Sequence, residues 1–192
     1  LGEMSDRLAV VRSLSTKEGD HGRGTFVVRT GQKPLGPIQY PTIGSSLSKA
    51  LAREDDAVPH YVSISPYRQF NQAAFSPGFL GPRYAALTVG ATDGPGAAPA
   101  QVANGYAELK VDDLTPEVER TQFTGRVDLW QNFESRFVAT HRGPSPAAHQ
   151  TVYERALKLM DSSAADAFDL SKEKPVVRDA YGRGRFGQGC LM

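Results

Sequence analysis

The chain has 192 residues, the size of one domain, and 40% apolar with 22% charged residues allows a packed core. Its 22 basic and 21 acidic side chains leave a net charge of +1, which argues against bulk electrostatic affinity for nucleic acid or an anionic membrane surface. The single cysteine excludes an internal disulfide or multi-cysteine zinc site, no apolar run approaches the about 20 residues that span a bilayer, and 19 glycines with 13 prolines demand much loop.

In chain order, Leu8-Ala9-Val10-Val11 is a short apolar, β-branched run that predicts a buried strand. Ser13 to Gly24 is polar and glycine-rich, a loop. Thr25 to Thr30 is mostly apolar and ends at Gly31, a helix stop, although its period does not separate helix from strand. Pro34 to Pro41 is loop. Thr42 caps a helix from Ile43 to Arg53, with Ile43, Leu47, Ala50 and Leu51 on one face. Pro59 to Pro66 predicts a second buried strand bounded by prolines. Tyr67 to Asn104 is irregular, and an ordered loop of that length is more often functional than idle. Tyr106 to Val111 is a candidate strand.

Thr115-Pro116-Glu117 is a helix start, with a cap, a proline at the first position and an acid in the first turn. That helix is predicted to run to about Thr140, with Phe123, Val127, Trp130 and Phe137 toward a core. Ser145-Pro146 repeats the signal for a helix from Pro146 to about Ser162, with Val152, Ala156 and Met160 on one face. Arg142-Gly143-Pro144 would join the two into a helical hairpin. Lys172 to Pro175 is a polar break, and no internal repeat is present. Strands alternating with helices predict an α/β layer architecture, whose ligands sit beyond the carboxyl ends of strands. Ser13 to Gly24, following the first expected strand, falls at that edge.

Few local motifs carry chemistry. Gly182-Arg183-Gly184-Arg185-Phe186-Gly187 matches a dinucleotide fingerprint but lacks a convincing strand before it, so a glycine-rich turn into a helix is the expected reading. Cys190 is expected to be a buried structural thiol rather than a nucleophile. His60, His141 and His149 lack metal-ligand spacing, and His149 reads as a packed or surface histidine. Arg12 to Thr25 is richer: hydroxyls, a histidine, cations, acids and glycines lie between an expected strand and an expected helix. Glycines allow close backbone approach, helix-start amides attract anions, and Arg23 offers bidentate oxyanion recognition. The competing reading is a mobile polar loop.

Arg12 to Gly31 resembles a bacterial family known as domain of unknown function 1501. So do Tyr40-Pro41-Thr42-Ile43-Gly44, Ser76-Pro77-Gly78-Phe79-Leu80-Gly81-Pro82-Arg83-Tyr84, and Arg178 to Leu191. The resemblance extends over nearly the whole chain and implies an alkaline phosphatase/sulfatase-like domain: a mostly parallel sheet between helices, in an exported protein. With no starting Met and an apolar segment at its last residues, the chain is read as the middle of that domain, residues 1–192. The superfamily's Asp/His metal motifs would then lie mainly outside it.

Sulfatases open a helical turn with a Cys or Ser nucleophile and close it with Thr-Gly. Here Thr30-Gly31 closes a similar stretch, and His21 stands nine positions before Thr30, where the nucleophile would be. Position 21 is not Cys, Ser or Thr, and Gly24-Thr25 replaces the Ser-Arg pair, so formylglycine chemistry is not expected here. The resemblance leaves three roles for His21: metal ligand, general acid-base or anion contact, or covalent phosphohistidine. It implies Asp20 as a divalent-metal ligand or orienting partner, and Lys17 and Arg23 as contacts to the anion. The expected activity is hydrolysis or binding of a phosphate or sulfate ester with a divalent metal, on an anionic ester or polysaccharide partner. Neither nucleic acid nor a membrane span is expected. The alternative is a binding or scaffold protein that keeps the fold without turnover.

Overall fold

The first helix, α1 (His21–Thr30), begins where the Asp20 carboxylate accepts a hydrogen bond from the Arg23 amide at 2.8 Å. It ends where Gly31 turns left-handed at φ 70°, as the sequence predicts. The computed structural model describes residues 2–53, 58–90, 102–109, 111, 114–141, 144–161 and 163–192. Phe26 is the buried residue of α1. Its last turn is fastened by Arg29, which donates to the Ala74 carbonyl and the Tyr61 hydroxyl, both at 3.0 Å, with its guanidinium 3.9 Å from the Phe75 ring centre.

Residues Leu8 to Val11 do not form the expected strand. They run without regular structure and are exposed. A strand needs a paired neighbour, and no described strand lies alongside them.

The helix α2 (Ile43–Leu51) has the predicted cap, Thr42 Oγ1 accepting from the Ser45 amide at 3.1 Å, and stops two residues early. Its buried face is the opposite of the predicted one. Ser45 and Ser48 face inward, while Ile43, Leu47 and Leu51 are exposed. Close approach decides this: a Cβ at Gly44 would overlap the Tyr61 ring, so only small residues fit between α2 and its neighbours.

The strand β1 (Val62–Ile64) pairs in parallel with β2 (Leu87–Val89), in register Val62 with Leu87 and Ile64 with Val89. The crossover, residues 65–86, carries three 3₁₀ turns: Gln72–Phe75, Gly78–Leu80 and Pro82–Tyr84. The sequence reading of this segment as irregular missed β2. A short antiparallel pair, β3 (Val102–Ala103) with β4 (Tyr106–Ala107), turns through Asn104-Gly105. The chain is thus mixed α/β, with a small parallel pair and six α-helices among the described residues.

The helix α3 (Arg120–Thr140) starts four residues later than the Thr115 cap predicts, and its capping residue, Glu119, makes no side-chain cap bond. Leu114 and Val111, ahead of the helix in the chain, pack on the core cluster. The helix α4 (Pro144–Met160) starts two residues earlier than predicted. The two helices meet as the expected hairpin: Trp130 stacks on Tyr153 with ring centres 4.7 Å apart, and His149 Nδ1 lies 2.9 Å from Glu134 Oε1. Residues 142 and 143 of its connection lie outside the described residues. Phe123, Val127 and Trp130 are half-buried, but Phe137 is exposed.

The inward face of α4 is also rotated from the predicted one. Leu159 enters the core with Val89, Leu109 and Phe168, whereas Val152 and Ala156 are exposed. Phe168 comes from the 3₁₀ segment Ser163–Phe168.

After the predicted break come α5 (Pro175–Tyr181) and α6 (Arg185–Leu191). The glycine-rich run is the turn between them. Gly182 ends α5 at φ 88°, Gly184 caps α6, and a Cβ at Gly187 would strike the Tyr181 carbonyl. Gln188 and Gly189 are the buried residues of α6, so Cys190, one step around the helix, is exposed, contrary to the expected buried thiol.

Tyr106 ties this helix pair to β4. Its hydroxyl donates to Asp179 Oδ1 at 2.8 Å, and the guanidiniums of Arg178 and Arg183 lie 4.1 and 4.9 Å from its ring centre. The Tyr106 hydroxyl, and secondly Arg183, hold the Asp179 carboxyl below its ordinary value. Its charged form is favoured by folding, so the stabilisation is complete above the unfolded value of about 3.9 and fades as pH falls through the lower folded value. Asp179→Asn is expected to make the urea midpoint less sensitive to acid between about pH 5 and about pH 3. An unchanged acid dependence would remove Asp179 from that response.

Candidate functional site

The sequence-predicted residues gather at the first turn of α1. Asp20, extended at φ −97° and ψ 137°, is the cap, and His21 is the first helical residue. Thr25 Oγ1 donates back to the His21 carbonyl at 2.7 Å. The His21 side chain is exposed, and its ring lies flat on Phe70, with centres 4.9 Å apart and planes 16° from parallel. Tyr67 meets Phe70 edge-on at 4.9 Å.

The irregular segment after β1 is what positions the imidazole. Asn71 Nδ2 donates to the Gly22 carbonyl at 3.1 Å, and its Oδ1 accepts from the Ala74 amide at 3.3 Å. Gly22 is required at this contact, because a Cβ there would stand 2.7 Å from the Phe70 carbonyl oxygen. Gly19, Gly22 and Gly24 are the glycines the sequence offers here for close backbone approach. Of these only Gly22 is constrained by a neighbour, since a Cβ at Gly19 or Gly24 meets nothing within 4 Å.

Arg23 is engaged rather than open. Its Nε and Nη2 donate to the two Glu18 oxygens at 2.7 and 3.1 Å. Arg23, through this bidentate bond, holds the Glu18 carboxyl below its ordinary value. The Glu18 side chain is 11% exposed against 49% for Arg23, so the acid is covered and the cation faces solvent. Lys17 is exposed and forms no ion pair with a described residue. Neither His21 ring nitrogen takes a hydrogen bond from a described residue.

Asp20 and His21 supply one carboxylate and one imidazole, both chemically suited to a divalent ion but fewer than the four to six donors such ions take. Among the described residues no group of three or more His, Cys, Asp or Glu stands close enough to hold a metal. These two residues fit as part of a ligand set and not as a whole one.

A separate cleft of about 600 Å³ opens between α2, the Pro82–Tyr84 turn and α4. His21, Asp20, Lys17 and Arg23 do not line it. Among the described residues its lining carries the cations Arg53, Arg83, Arg155 and Lys158, the imidazole of His60, and one acid, Glu154. Arg155 is half-buried, and its Nη1 donates to the Pro82 and Arg83 carbonyls at 3.0 and 2.7 Å. Burial, and then the Arg83 guanidinium, push its pKa down. Sequence reasoning missed Arg155 because it read α4 by its apolar face. The signal available was a cation four positions before Leu159, one turn along the face that turns inward.

No helix of the described residues is long and apolar enough to cross a membrane. A family model described as "Protein of unknown function (DUF1501)" matches residues 1–192. No curated protein and no solved structure matches the chain.

Proposed function

The chain belongs to the DUF1501 family, and from that premise we propose that it forms part of an exported, alkaline phosphatase/sulfatase-like domain that binds or hydrolyses a phosphate or sulfate ester. The observation that carries this reading is the exposed His21 imidazole at the first position of α1, held flat on Phe70 with neither ring nitrogen hydrogen-bonded to a described residue. A ring fixed by stacking loses little entropy when it meets a ligand, and a neutral imidazole can bind a metal or move a proton near neutral pH. Lys17, four positions before it in the chain, supplies an exposed cation with no ion pair to a described residue, and the solvent-facing Arg23 a second one already bonded to Glu18. A divalent metal, held by Asp20 and His21 together with residues from elsewhere in the protein, would lower the pKa of an attacking water. The parallel pair β1 and β2 is compatible with a wider parallel sheet, the remaining part of the proposal.

The second reading, a binding or scaffold protein without turnover, is favoured by one feature of the same turn. The Asp20 carboxylate already caps α1 and Arg23 already pairs with Glu18, so the groups nearest His21 are committed to internal bonds.

Both readings are tested on the full-length protein by hydrolysis of 4-nitrophenyl phosphate and 4-nitrophenyl sulfate, with metal content measured alongside. The enzymatic reading expects turnover, and His21→Ala is expected to lower it by about 10²-fold or more. Loss of bound metal in the same variant would identify His21 as a ligand. Unchanged activity and metal content would remove His21 from the chemistry. Saturable ester binding without hydrolysis would favour the scaffold reading.

A further inference from the structure

The cleft between α2, the Pro82–Tyr84 turn and α4 is built around a cation with no acid partner among the described residues. Arg155 forms no ion pair with a described residue, and its hydrogen bonds to described residues run from Nη1 to two backbone carbonyls. Nε and Nη2 make no hydrogen bond with a described residue. A half-buried guanidinium without a counter-charge costs free energy, and a second guanidinium nearby adds to that cost. The two carbonyls hold the fork in place and leave its other edge unused. Such an edge matches two oxygens of a phosphate, sulfate or carboxylate.

The rest of the lining suits an organic body attached to that oxyanion. Val58, Pro59, Ala85, Leu87, Val152 and Ala156 supply apolar surface around the cations. The volume, about 600 Å³, falls in the range of small-ligand sites. An inorganic ion would use the guanidinium and leave the apolar walls wet. A neutral apolar molecule would leave the guanidinium unpaired.

We propose that this cleft is a binding site for a small organic anion, an apolar group bearing one phosphate, sulfate or carboxylate, with the oxyanion on Arg155. The site is independent of His21 and stands whether or not the α1 turn is catalytic. An anion seated there would bridge α4 to the 3₁₀ turn before β2 and relieve the repulsion between Arg155 and Arg83.

The test is calorimetric titration of the full-length protein with phenyl phosphate, benzoate, inorganic phosphate and phenol. Saturable binding is expected for phenyl phosphate or benzoate. Inorganic phosphate should bind more weakly and phenol not at all. Whichever of the two organic anions binds more tightly names the oxyanion. Affinity should fall as salt rises. Arg155→Met should weaken binding at least tenfold. Because that change also removes two bonds to carbonyls, Thr151→Glu serves as the second variant. It lies one turn before Arg155 in the same lining, keeps those bonds, and sets a carboxylate at the i,i+4 spacing that pairs with the guanidinium, so it should compete with the ligand and weaken binding by a similar factor. The part of the binding that Arg155→Met removes should persist in His21→Ala, which separates this site from the α1 turn. Equal affinity in both cleft variants and the native protein, or no saturable binding of either organic anion, would overturn the proposal.

Discussion

Gln188→Leu is expected to destabilise the protein by about 3 kcal/mol, read as a lower urea midpoint at unchanged slope. Gln188 is fully buried, at 0% exposure, and its amide makes three bonds. Oε1 accepts from Arg178 Nε at 2.7 Å, while Nε2 donates to the Gly182 carbonyl at 2.7 Å and the Arg178 carbonyl at 3.1 Å. Leucine fills a similar volume but strands one charged donor and two acceptors, each costing about 1–3 kcal/mol when buried and less where water can enter. Arg178 is only half-buried, so the total should fall well below the sum of three full penalties. The mechanism has its own signature. Combined with Arg178→Met, the second loss should be smaller than in isolation, by about 1 kcal/mol, because the stranded donor is gone. Strict additivity of the two changes would contradict the account.

Gly78→Ala is expected to cost about 3 kcal/mol or more, by two additive routes. Gly78 has φ 53°, a left-handed conformation that costs an L-residue about 1–2 kcal/mol. Its Cβ position also runs into the backbone of Gln39, Tyr40 and Pro41, and no rotamer can move that obstacle. The contact is where the crossover after β1 docks on the segment leading to α2, secured by Phe79 donating to the Gln39 carbonyl at 2.9 Å. Gly31 is the natural control. It too is left-handed, at φ 70° and ψ 5°, but a Cβ there meets nothing within 4 Å, so Gly31→Ala should carry the conformational cost alone. Equal losses at the two positions would show that the backbone contact contributes nothing. Thermal or urea denaturation of both variants decides it.

The candidate site was legible in one respect and opaque in another. The Thr30-Gly31 stop follows from neighbours along the chain, but residue pattern read 13–24 as loop and left 25–30 open between helix and strand; only the family resemblance put a helix start at His21. Nothing local announces that Phe70, 49 positions on, would carry the His21 ring, or that Glu18 would occupy Arg23. Phe70 reads in sequence as one aromatic in an irregular loop. The cleft around Arg155 is further from sequence reach, since its walls come from three separate segments.

Caps, stops and breaks along the chain were determined by the sequence itself: Thr42 opening α2, Gly31 closing α1, the glycine turn between α5 and α6. These depend on backbone conformations and hydrogen bonds within a few residues, where side-chain identity acts directly. Which face of each helix is buried, and whether a β-branched run becomes a strand, only the tertiary structure decided. On α2 the serines went inward because Tyr61 leaves no room for anything larger than Gly44. On α4 Leu159 and Arg155 displaced the predicted face because β2 and the turn before it offered a core and two carbonyls. Residues 8–11 had the composition of a strand but no described partner to pair with. Burial and pairing are properties of two surfaces, and a single stretch of sequence specifies only one of them.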